Sequence, residues 1–148
     1  MKSIRLVLPV SLLLLATGLT AAPLKIEKLP PAVQKTVKEQ LKGATMTGLS
    51  KEVEKGKTQY ELETKVNGRG RDLIIGTDGT IEVIEEEVTL DTIPAPAKAA
   101  FEKASTGAKI TKVEKVTKGS VVTYEAIVEK KGKKKTEVMV NADGSPAK

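Results

Sequence analysis

The stretch that decides the fold is "LIIGTDGT", Leu73 to Thr80, and it returns near the C-terminus as "VMVNADGS", Val138 to Ser145. In both, the order is an apolar run, a small residue, Asp and Gly. Asp-Gly after alternating hydrophobics marks a hairpin corner, and the residue pair suits a type I′ turn. A corner spelled twice in 148 residues suggests that a larger unit is repeated.

Shifting the chain by 64 residues lays "LPPAVQKTVKEQLKGATMTGLSK", from Leu29, over "IPAPAKAAFEKASTGAKITKVEK", from Ile93. Pro30 then meets Pro94, Val37 meets Phe101, Gly43 meets Gly107, and Tyr60-Glu61 meet Tyr124-Glu125. One additional residue in the later basic segment makes the offset 65, which brings Asp78-Gly79 onto Asp143-Gly144.

Periodicity gives each unit its elements. Val33, Val37 and Leu41 recur at helical spacing, with Pro30 and Pro31 at the entry and Gly43 past the exit. In the second unit Ala97, Phe101 and Ala104 form the apolar stripe, which stops at Gly107. The period then becomes two. Tyr60, Leu62, Thr64 and Val66 alternate with Gln59, Glu61, Glu63 and Lys65, and Val122, Tyr124, Ala126 and Val128 alternate with Thr123, Glu125, Ile127 and Glu129. Further strands are predicted at about 45–54, 71–76 and 80–88. The expected fold is α+β, with two tandem helix-plus-antiparallel-meander repeats and the helices packed on one face of the sheet. One sheet face should be buried and the other mostly wet. The second repeat ends at "SPAK", so its last strand is expected to be absent or short.

The N-terminus reads differently. Lys2 and Arg5 precede an apolar run from Leu6 to Leu15 and small residues at Thr20, Ala21 and Ala22, the layout of a secretory signal. The run is shorter than the ~20 residues of a membrane span. The expected organisation is therefore 1–22 signal peptide, 23–28 N-terminal linker, 29–90 first repeat and 91–148 second repeat. The mature chain is expected in the periplasm or secreted, with no integral membrane span after cleavage.

The helix introduced by "LP" or "IP", the Gly-Ala exit, the "YE" strand and the closing "DG" hairpin resemble the PepSY-like domains of exported bacterial proteins. The tandem form of those domains is similar in architecture to beta-lactamase inhibitory protein. The resemblance covers Leu29 to Val88 and Ile93 to Pro146, and it implies a non-enzymatic module with inhibitor-like or chaperone-like protein-binding work. The chain departs from the inhibitor in its missing final strand and its lack of cysteine, so inhibition of that enzyme is not implied.

Composition points the same way. With no His and no Cys, the chain lacks the usual neutral-pH base, every thiolate and the common zinc ligands. Ser50, Ser105, Ser120 and Ser145 sit in Lys-rich or turn contexts with no sign of a buried neutral Lys. Glu85, Glu86 and Glu87 alternate in direction and read as a solvated strand end. No catalytic residue, metal site or cofactor is expected. Each Asp-Gly corner offers a single carboxylate, too few for a calcium loop.

Charge is divided unevenly. Residues 23–91 hold eleven Lys or Arg against thirteen Asp or Glu, whereas residues 92–148 hold twelve against six. The densest basic cluster is "EKKGKKKTE", where Lys130, Lys131, Lys133, Lys134 and Lys135 surround Gly132 at a predicted hairpin tip. Such lysines keep a turn soluble and discourage strand pairing; they are also the candidate contact for an anionic surface. Nucleic acid is not an expected partner, because export removes it and the chain has no Trp, one Phe and two Tyr for stacking. The expected partner is an exported or envelope protein; the alternative is anionic lipid or polymer met by the basic second repeat.

Overall fold

The computed structural model describes residues 24–147, so the expected signal segment lies outside the described residues. A single 3₁₀ turn, Ile26–Lys28, leads into α1 (Pro31–Gln40), followed by β1 (Thr45–Glu54), β2 (Lys57–Val66), β3 (Arg69–Gly76) and β4 (Ile81–Glu87). The chain continues through α2 (Ala95–Ala104), β5 (Lys109–Lys118), β6 (Val121–Glu129) and β7 (Thr136–Asn141). All seven strands form one antiparallel sheet in chain order, β1 to β7. β4 and β5 join the halves through four residue pairs, Ile84 to Glu87 against Thr117 to Glu114.

Both helices bury one stripe on the same side of this sheet. Val33 and Val37 of α1 pack with Leu29, Tyr60, Leu62, Leu73 and Ile75, while Ala97 and Phe101 of α2 pack with Ile93, Val113, Ala126 and Val140. Full burial of a side chain the size of Leu or Phe contributes roughly 1.5–3 kcal/mol, so two short helices suffice to anchor two aliphatic cores. Leu24 and Ile26, in the segment expected to be a linker, pack against the first core. Ala104 is exposed and Ala100 packs in its place, because the last turn of α2 has already left the sheet.

The hairpins correct the reading of the Asp-Gly corner. Type I′ needs positive φ at both central residues, and that is found at Lys55-Gly56 (φ 50° and 81°) and Asn67-Gly68 (φ 50° and 82°). At the Asp-Gly corner only Gly79 is left-handed, at φ 84°. The Gly79 N–H donates to the Gly76 carbonyl at 2.9 Å and the Gly76 N–H to the Thr80 carbonyl at 2.9 Å. This is the three-residue loop, a type I turn closed by a glycine bulge. Asn141, Gly144 and Ser145 repeat it, at 2.9 and 2.8 Å.

Each corner seats against the start of a helix. A Cβ on Gly79 would lie 2.7 Å from the Ala32 carbonyl oxygen, and one on Gly144 would lie 2.5 Å from that of Pro96. Only glycine meets both the left-handed φ and this approach. The Thr36 hydroxyl adds a 2.7 Å hydrogen bond to the Gly79 carbonyl. Beyond β7 the expected last strand is reduced to a bridge between Val140 and Pro146, with the Ala147 N–H donating to the Met139 carbonyl at 3.1 Å.

Candidate binding surface

With both helices on one side, the other face of the sheet carries no helix among the described residues. Strand register fixes what it displays, because directly paired residues share a face. One row crosses all seven strands: Gly48, Glu63, Asp72, Glu85, Val116, Thr123, Asn141. A second runs Glu87, Glu114, Glu125, Met139 from β4 to β7. Each row therefore holds three carboxylates directly opposed on adjacent strands. Like charges in that relation destabilise a sheet wherever both members are ionised.

The packing of these acids is close. A Cβ on Gly48 would meet the Glu63 carboxylate at 2.7–2.9 Å, so Glu63 lies flat over the glycine of the neighbouring strand. Glu87 lies over Gly70 in the same way and accepts a 3.0 Å hydrogen bond from its backbone N–H. Asp72, Glu85 and Glu114 bring carboxylate oxygens within 4.8 Å of one another, a grouping able to share a cation. The Lys112 ammonium already occupies that position, 2.6 Å from Glu114 and 3.9 Å from Asp72.

Burial and crowding show in the protonation of these groups. Burial, reinforced by Glu114, Glu125 and Asp72, pushes Glu85 up to about 8, with Lys112 opposing. Glu61 is pushed up to about 7 by burial, then by the charge and hydrogen bond of Glu52 and by Glu63 and Asp72. Burial also raises Asp72 against the pull of Lys112, and raises Glu137 together with Glu114. For Lys112 burial disfavours the charge, but the Glu114 hydrogen bond and the surrounding carboxylates outweigh it and raise its pKa.

These observations correct two sequence expectations. Glu85 is not a solvated strand end: it and Glu87 face the helix-free side, while Glu86 faces the helices, 3.6 Å from Lys115. Nor is that face simply wet, since Glu114 and Glu125 are only 5 % and 2 % exposed. The acids come from five strands, and register alone reveals the rows. The one cue along the chain was the density of Glu at alternating positions of neighbouring strands.

Lys130, Lys131, Lys133, Lys134 and Lys135 are all exposed, in the connection beyond the last β6–β7 pair, Val128 with Thr136. The Lys133 N–H donates to the Lys130 carbonyl at 2.9 Å, turning the chain around Gly132 at φ 75°. None of the five makes an ion pair with another described residue. Of the serines, Ser50 has a buried hydroxyl with no hydrogen-bond partner among the described residues, on β1 opposite Glu61.

No family model and no curated protein matches the sequence. Solved structures do match the fold. A presumptive periplasmic protein from Bacteroides eggerthii superposes with a TM-score of 0.65 at 19% identity, over 81% of this chain and 86% of that one. A DUF2874 family protein from Bacteroides ovatus gives 0.63 at 18% identity, over 81% and 85%. A BLIP-like protein from Bacteroides fragilis gives 0.57 at 18% identity, over 79% and 82%. The chain therefore has a BLIP-like α+β fold.

Proposed function

We propose that this chain is an exported, non-catalytic protein-binding module of tandem PepSY-like repeats, inhibitor-like or chaperone-like in action, whose contact surface is the helix-free sheet face. The carrying observation is the pair of opposed carboxylate rows, an arrangement that costs stability wherever neighbours are ionised. Ile74, Ile127 and Met139 lie among the acids, half-buried, and supply apolar contact area within a polar surround. The sheet edges suit strand addition less well, since β1 is bulged at Met46/Gly48 and β7 is bridged by Pro146. Export, to the periplasm or beyond, is supported by the N-terminal signal pattern and by the periplasmic description of the Bacteroides eggerthii structure.

A photo-crosslinking side chain placed at Met139, half-buried on the helix-free face, tests this reading against one at Lys38, on the solvent side of α1. In envelope extract the Met139 probe is expected to give a discrete protein adduct that the Lys38 probe does not. Equal labelling from both positions, or adducts from Lys38 alone, refutes it. A second reading is favoured by the five exposed lysines at 130–135: contact with anionic lipid or polymer. Salt-sensitive binding to anionic vesicles, lost on charge reversal of the tip, is its expected signature.

A further inference from the structure

The acidic face and the lysine tip belong to one chain and do not satisfy each other within it. The tip projects beyond the last β6–β7 pair, and its ammonium groups have no ion-pair partner among the described residues. On the face, Lys112 is the basic side chain placed among Asp72, Glu85 and Glu114.

We propose that the face docks a second copy of this chain, head to tail, with the lysine tip of one copy laid across the carboxylate rows of the next. The inference rests on the reading of the helix-free face as a contact surface and names its partner. Face and tip are different patches, so the contact is heterologous and continues into chains unless its rotation closes a ring. Each docked ammonium relieves repulsion between opposed carboxylates. The association is therefore electrostatic, and weakens as salt shortens the screening length from about 20 Å to about 6 Å.

Sedimentation of the exported chain at about 20 mM and about 300 mM salt tests the proposal. Wild type is expected to associate reversibly at low salt, with a dissociation constant on the order of 100 µM, and to be monomeric at high salt. The tip variant Lys131→Glu/Lys133→Glu/Lys134→Glu and the face variant Glu61→Gln/Glu63→Gln/Glu87→Gln are each expected to associate at least about tenfold more weakly. Mixed one to one, they are expected to form a heterodimer that grows no further, because each retains the half the other has lost. Circular dichroism checks that both are folded; the Gln changes remove repulsion and leave shape intact.

A wild type that stays monomeric at low salt up to about 1 mM protein overturns the proposal. So does a tip variant that still associates, or a mixture that fails to pair. If the wild type is monomeric and tip reversal instead abolishes vesicle binding, the tip serves an anionic surface. The face reading then stands or falls on the Met139 crosslinks alone.

Discussion

Replacing Glu85 by Gln keeps its shape and fixes its charge at zero, and the effect on stability follows from where the native proton sits. Folded Glu85 holds its proton up to about pH 8, whereas the unfolded side chain releases it near 4.5. Between those values the folded state binds more protons, so wild-type stability falls as pH rises; the contribution is complete below 4.5 and gone above 8. The groups facing Glu85 are Asp72 from β3, Lys112, Glu114 and Val116 from β5, and Glu125 from β6. Linkage over the full shift sets an upper bound of about 4 to 5 kcal/mol. Partial exposure and relaxation of the neighbours reduce the realised difference to about 1–2 kcal/mol. Urea unfolding of wild type and Glu85→Gln at about pH 4 to about pH 9 is expected to give near-equal stability at the acid end, below the unfolded value of 4.5, and a growing advantage for Gln toward the alkaline end. Parallel stability curves, or a Gln variant less stable at pH 8.5, refute the assignment of a native proton to Glu85.

Other outcomes follow from the packing. Gly79→Ala and Gly144→Ala are each expected to cost about 2 kcal/mol or more, because strained φ and a clash with a helix carbonyl act together; Gly119→Ala, at φ 59° in open space, should cost about 1 kcal/mol or less. Phe101→Ala empties the second core and is expected to cost about 3–5 kcal/mol by urea unfolding. With Tyr124 reporting in a Tyr60→Phe background and Tyr60 in a Tyr124→Phe background, both halves should shift together; movement at Tyr124 alone would mean that the sheet is not one cooperative unit. Calorimetric titration with calcium is expected to show no stoichiometric uptake at the Asp-Gly corners. Asp78 already accepts from the Thr80 N–H at 2.9 Å, and Asp143 from the Ser145 N–H at 2.9 Å and hydroxyl at 2.6 Å.

What was legible in the sequence was what runs along the chain. β2 is where the alternation from Gln59 to Val66 placed it, and Val33, Val37, Ala97 and Phe101 are the buried helix positions, because a 3.6-residue or two-residue period is set locally. The turn type at Asp78-Gly79 was misread because dipeptide chemistry fits two loops. Loop length decides between them, and three residues rather than two separate the strand ends. The acidic face was missed for a deeper reason. Glu63, Asp72 and Glu85 are far apart in sequence and become a row only when three strands find their register. Glu125 alternates as a solvent-facing residue should, yet its neighbours on β5 and β7 close over it.

The crowding is concentrated where the sheet can least tolerate it. Neither half is large enough to be more than marginally stable alone, and they are joined by only four residue pairs between β4 and β5. Glu85, Glu87 and Glu114 all sit on that seam; Glu85 is paired with Val116, while Glu87 opposes Glu114, a like-charge relation that costs several tenths of a kcal/mol or more. Lys112 offsets part of this by reaching from β5 to Asp72 on β3 across the intervening strand, and Lys115 faces Glu86 on the helix side. Ile84–Thr117, Glu85–Val116 and Glu86–Lys115 are pairs that suit a seam built for stability, and Glu87–Glu114 is not. Glu85 adds no charge while it holds its proton, to about pH 8, so the shortage of positive charge at the junction falls on the Glu87–Glu114 pair. That deficit is what an incoming cationic segment would relieve, and its place in the fold makes docking and the joining of the two halves energetically one problem.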